Sequence, residues 1–203
     1  SALANSPANP VRAGTRPTAT SPAVDNPVGT ASVGGVAKRT LTPANTLRTV
    51  ANLVIASPVI IRSIFRPETS KALREKVMLG VTAINDCRYC AWGHSHWAIS
   101  QGLPLEEVNQ ILSSQDDSLK ASDPAEAAAI LFGQHYAEHL DEIDPESMKN
   151  LRHYFSQEAA REIVGYVFFI TFTNLSGNTV DVLLERIRGT GRPELEQPRR
   201  EGL

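Results

Sequence analysis

The chain has 203 residues, 41% hydrophobic and 21% charged, with a net charge of −2 and a pI near 6.2. That is the composition of a soluble globular domain, and its near-balanced charge gives no footprint for nucleic acid or an anionic membrane. No uninterrupted apolar run reaches the roughly 18–20 residues of a spanning helix; the longest stretch, 163–175, is broken by Gly165, Thr171, Thr173 and Asn174 and reads as a buried helix.

Residues 1–40 read as a low-complexity arm. Pro7, Pro10, Pro17, Pro22 and Pro27 exclude a helix there, and the rest is rich in Ser, Thr, Ala and Gly. With no charged-then-apolar leader pattern after Ser1, the expected location is cytoplasmic. Thr42-Pro43 is a helix start. One helix is expected to about Ile55 and a second from Ser57-Pro58, with Val59, Ile60, Ile64 and Phe65 as its apolar face, ending at Arg66-Pro67. A helix over about 70–84 follows, with Leu73, Val77, Leu79, Val81 and Ile84 toward the core. Asn85 and Asp86 are good caps for a helix from Cys87 to Gln101, stopped at Gly102.

Pro104 opens a short helix to about Leu112, and Ser113–Ser122 is a polar loop. Asp123-Pro124 and Asp144-Pro145 start helices to about His139 and Tyr154. Ser156 caps a long last helix to about Ile187, with a kink expected near Gly177. No strand pattern appears. The expectation is an all-α, compact multi-helix bundle over 41–188, flanked by the arm and a Gly-, Pro- and Arg-rich tail at 189–203.

The chemistry concentrates between Glu75 and Gly102. Both cysteines lie there, as Cys87-Arg-Tyr-Cys90, with His94 four residues on and Glu75 twelve residues before. At about 100° per residue, Cys87, Cys90 and His94 share one helix face and His96 points away. Two cysteines are too few for a secreted disulfide framework. A Cys-x-x-Cys pair at a helix start instead favours redox chemistry, because unpaired amides there stabilise a thiolate. Position alone makes Cys87 the more acidic thiol. Zinc is disfavoured: one helix cannot present Cys87, Cys90, His94 and His96 as a tetrahedron, so no metal and no cofactor is expected. Tyr89 is a candidate proton relay or a packing residue.

Glu75, eleven residues, Cys87-Arg-Tyr-Cys90-Ala-Trp-Gly-His94, then Ala98 and Gly102, resembles the carboxymuconolactone decarboxylase superfamily in its alkyl hydroperoxidase D-like branch. The resemblance covers about 70–112, with a compatible helical pattern over most of 43–188. It implies an all-α thiol peroxidase and disulfide oxidoreductase, an antioxidant enzyme that reduces hydroperoxides. Cys90 is then the peroxidatic thiol, Cys87 the resolving thiol facing the reductant, Glu75 the general base and His94 a proton donor. It also implies a dithiol protein reductant, lipoyl or thioredoxin-like, and a homotrimer or homohexamer. Members best known as peroxidases carry His where this chain has Tyr89. Two other readings remain: an acid–base decarboxylase-like enzyme using Glu75 and His94 without the thiols, and a non-catalytic redox-sensing or assembly protein.

Overall fold

The computed structural model describes residues 38–113, 123–140 and 143–189. Among them are seven α-helices and no strand: α1 Pro43–Phe65, α2 Lys71–Asn85, α3 Arg88–Ser100, α4 Leu105–Leu112, α5 Pro124–His139, α6 Pro145–Tyr154 and α7 Gln157–Arg188. The all-helical expectation therefore holds. Most of the N-terminal arm, of the polar loop and of the C-terminal tail lies outside the described residues.

Helix starts follow their caps. Thr42 and Asn45 exchange side-chain and backbone hydrogen bonds as a capping box, and Ser70, Asp123, Asp144 and Ser156 each accept from an amide in the following turn. Each such cap contributes about 1 kcal/mol. Gly102 at φ 93° and Gly189 at φ 66° follow helix ends in the left-handed conformation that glycine adopts without strain.

Three expectations are corrected. The first helix does not break at Ser57-Pro58. It runs through Pro58, and the Ser57 hydroxyl donates to the Val54 carbonyl (2.8 Å), which lost its usual donor when Pro58 brought no N–H. Nor do Ile64 and Phe65 join Val59 and Ile60 on an inward face; both are exposed. Cys87 is itself the N-cap of α3, because Asn85 still belongs to α2 and Asp86 turns the chain in the left-handed region at φ 53°. Helix α7 is continuous through Gly177.

α2 is the central helix. It packs against α3, α4, α5 and α7, and Val77, Leu79 and Val81 are fully buried on it. Helix α1 runs antiparallel to α7, with the Leu41 amide on Thr179 Oγ1 (2.8 Å) at one end and Ile60 beside Gly165 toward the other. The main core gathers side chains of α1, α2, α5, α6 and α7; a smaller one forms around Leu79, Ala98, Leu103, Val108, Ile111 and Ile130.

Buried charges fix the start of α2. Glu162 of α7 accepts from the amides of Glu68 and Thr69, the Thr69 hydroxyl and the Tyr166 hydroxyl, so the turn before α2 is anchored to α7. Lys76 bridges Glu107 of α4 (2.6 Å) and Glu126 of α5 (2.5 Å). Its burial opposes the charge, but the two carboxylates outweigh that cost and hold its pKa above the usual lysine value. Together these contacts fix the register of the helix that carries Glu75.

By length and mean hydropathy, α1 and α7 are each apolar enough to cross a membrane. The uninterrupted-run criterion misses this because polar residues are dispersed along both. In the most apolar window 44% of α7 is buried in the bundle, but only 17% of α1.

Candidate active site

The turn at Asp86 sets α3 against α2, and Glu75 and His94 meet in the interior as a result. Glu75 Oε2 lies 2.7 Å from His94 Nδ1, and the two residues are 2% and 7% exposed. A carboxylate can only accept, so the imidazole donates from Nδ1 and keeps Nε2 for other chemistry. The remaining carboxylate oxygen, Oε1, accepts from Arg74 Nε (3.1 Å) and is ion-paired with a terminal guanidinium nitrogen at 3.0 Å. The Arg74 guanidinium in turn sits 6.0 Å over the Tyr166 ring. Trp97 meets the His94 ring edge-on at 5.0 Å and leaves much of its own surface open.

The two sulfurs lie at the start of the same helix. Cys87 Sγ and Cys90 Sγ are 2.7 Å apart and share a hydrogen bond; both are free thiols. Cys87 is only 1% exposed, whereas Cys90 is partly open. Cys90 is therefore the more open residue of the two, and the buried Cys87 is not positioned to face an external reductant directly.

The electrostatics divide the pair. Cys87 is held below the ordinary thiol range by the hydrogen bond from Cys90 and by the Cys90 and Tyr89 amides at the helix start, against burial and the negative charge of Asp181. Cys90 is pushed above it by that same hydrogen bond, by burial and by the charge on Cys87, while the Thr173 hydroxyl acts in the opposite sense. The two thiols are thus shifted in opposite directions, Cys87 down and Cys90 up.

Helix α7 closes the back of the pair at one-turn intervals. Thr173 reaches Cys90, and at Gly177 a Cβ would stand 3.2 Å from Cys87 Sγ and 4.0 Å from Cys90 Sγ. Only glycine lets the helix backbone come this close undisturbed. One turn on, Asp181 is buried and receives Lys38, Arg88 and the Tyr89 hydroxyl (3.1 Å). Burial alone would raise its carboxyl, but the Lys38, Tyr89 and Arg88 contacts win and hold it below the usual range.

Tyr89 turns its hydroxyl to this carboxylate. Its phenol bonds Asp181 and accepts from Arg88 (2.8 Å), and the Arg88 guanidinium lies 4.8 Å over its ring. His96 is exposed and bonds the Trp92 carbonyl, as its helix position requires. His135 and His139 stack at 4.4 Å on α5, remote in sequence from the site. Among the described residues no group of three or more His, Cys, Asp or Glu is arranged to hold a metal.

Sequence reasoning placed Glu75, Cys87, Cys90 and His94 but missed Arg74, Gly177 and Asp181. Asn85 also has a different part from the one expected. It is fully buried, its carbonyl accepts from Asn178 (2.7 Å), and its side-chain amide finds no protein partner among the described residues. No family model, curated protein or solved structure matches the chain.

Proposed function

We propose that the chain is an alkyl hydroperoxidase D-like member of the carboxymuconolactone decarboxylase superfamily, acting as a thiol peroxidase. The observation that carries this reading is one helix start with two free thiols whose sulfurs lie 2.7 Å apart, on the same element as a histidine that meets a buried carboxylate at 2.7 Å.

Cys90 is the attacking thiol because it is the reachable one. Its proton passes across the short sulfur–sulfur contact to Cys87. The Cys90 thiolate attacks the terminal oxygen of the hydroperoxide, the O–O bond breaks, and Cys90 becomes a sulfenic acid. The departing alkoxide takes the proton from Cys87 and leaves as the alcohol. The Cys87 thiolate then displaces hydroxide from Cys90 and forms the disulfide. Hydroxide becomes water with a proton delivered from solvent through His94, which Glu75 orients.

A dithiol protein, lipoyl or thioredoxin-like, reduces the disulfide by attacking the more open Cys90 sulfur. Cys87, the more acidic thiol, is the better leaving group in that step. The enzyme is a homotrimer or homohexamer in this reading. Turnover of an organic hydroperoxide with a dithiol reductant tests it; full turnover in Cys90→Ser contradicts it.

One observation favours a second reading. The Glu75–His94 pair is complete without either sulfur, as an acid–base decarboxylase-like reaction requires. Activity on a muconolactone-type substrate that survives Cys87→Ser/Cys90→Ser would select it.

A further inference from the structure

Helix α1 buries one side against α7 and leaves the other open along its whole length. Leu47, Val54, Ile55, Ile61, Ile64 and Phe65 are between 58% and 79% exposed. With Val50 these side chains present on the order of 900 Å² of apolar surface. That exceeds the largest patch on a typical monomer, about 300–600 Å², and matches the roughly 800 Å² per partner that a stable interface buries.

The pattern on this face is self-complementary. Positions 47, 51, 54, 58, 61 and 65 are all exposed and all apolar. Their spacings alternate between four and three residues, as in a coiled-coil seam, and the set is symmetric about position 56. Reversing the helix about that level sets Leu47 against Phe65, Ala51 against Ile61 and Val54 against Pro58.

We infer that this face is an isologous interface with a second copy of the chain, in which two α1 helices pack antiparallel about a two-fold axis at the level of Ala56. Charge favours a protein surface over lipid here. The only charged residues over 43–65 are Arg48 and Arg62, and each is already engaged within its own chain, Arg62 with Glu68. A helix that binds an anionic lipid surface instead presents several available basic side chains. The inference rests on the homo-oligomeric part of the proposed function and narrows it, since a two-fold contact requires an even number of chains.

Light scattering of the full-length protein after size exclusion tests it, with Val54→Glu/Ile61→Glu as the disrupting variant. Both positions are exposed, so the variant keeps its helical circular dichroism. The expected wild-type mass is an even multiple of 22.0 kDa, halved in the variant. Register is tested on a Cys87→Ser/Cys90→Ser background. Two Ile55→Cys residues lie within roughly 3 Å of each other along the axis and cross-link under oxidation, whereas two Leu47→Cys residues stand roughly 27 Å apart and do not.

A wild-type trimer, or a mass unchanged in the variant, overturns the two-fold interface while leaving homo-oligomerisation standing. A wild-type monomer overturns both. Cross-linking through Leu47→Cys alone overturns the antiparallel register. A monomer that sediments with phosphatidylglycerol vesicles, and loses that binding in Val54→Glu/Ile61→Glu, assigns the face to lipid and overturns the inference.

Discussion

Glu75 and His94, nineteen residues apart in the chain, meet at 2.7 Å inside the bundle. Nothing local in either helix brings them together. The contact depends on the tight left-handed turn at Asp86, which sets α3 back against α2. If this pair handles protons for the sulfur chemistry, Glu75→Gln keeps the volume and removes the charge that faces His94 and Arg74. Its hydroperoxide turnover is expected to fall about 100-fold, and its urea midpoint to fall as well, because Arg74 loses a buried counter-charge. Steady-state rates beside a urea titration check this.

The divided thiol pair predicts an uneven titration. Thiolate absorbance of the reduced protein should show one thiolate per chain appearing below the ordinary value of about 8.5, with the second still protonated well above it. The sign for stability follows. Cys87 is depressed on folding, so its contribution is fully present above the unfolded pKa and is lost as pH falls through the lower folded value. Cys90 is raised, so it opposes folding increasingly as pH rises past the unfolded value. Between the folded Cys87 value and about pH 8.5 only the first effect operates. Reduced wild type should therefore gain stability across that window relative to Cys87→Ser, which urea unfolding at several pH values measures.

Asp181 is a buried carboxylate whose cationic partners come from α3 and from the segment before α1. Asp181→Asn leaves Arg88 without its counter-charge and Lys38 with only its longer contact to Glu185 (3.4 Å), and is expected to cost about 3 kcal/mol in urea unfolding, toward the low end for breaking a buried pair because Arg88 reaches solvent. The Asp181 carboxyl is depressed, so its contribution is present above the unfolded value of about 3.9 and lost as pH falls through the folded one. Part of the wild-type acid transition should accordingly be missing in the variant.

Two glycines predict different outcomes. At Gly80 an added Cβ would stand 2.9 Å from Ile130 Cγ2, where α2 meets α5. Overpacking of about 1–3 kcal/mol should exceed the roughly 1 kcal/mol gained from alanine's helix propensity, so Gly80→Ala lowers the melting temperature. At Gly177 the approach is looser, and the neighbours are the two sulfurs. Gly177→Ala should leave the melting temperature nearly unchanged and alter the rate of disulfide formation, read by stopped-flow thiol loss.

What could be read from the sequence was whatever depends on neighbours a few residues away. Proline after Asp or Thr located three helix starts, and the i, i+3, i+7 spacing put Cys87, Cys90 and His94 on one face. The site's other half comes from residues that are distant in sequence. Gly177 lies ninety residues beyond Cys87, and nothing local in the sequence marks its close approach to the two sulfurs. Asp181 reads as one more polar residue on a long helix until Arg88, Tyr89 and Lys38 are folded onto it. Pro58 misled for a related reason. Proline usually ends a helix, and only the adjacent Ser57 hydroxyl, satisfying the Val54 carbonyl, shows how this one continues.

The measurement that bears most directly on the central claim is a free-thiol count before and after one equivalent of an organic hydroperoxide, with zinc assayed on the same sample. The account predicts rapid loss of two thiols per chain and their full return on adding a dithiol. Two thiols that persist in the presence of the hydroperoxide, whether bare or masked by stoichiometric zinc, would contradict it.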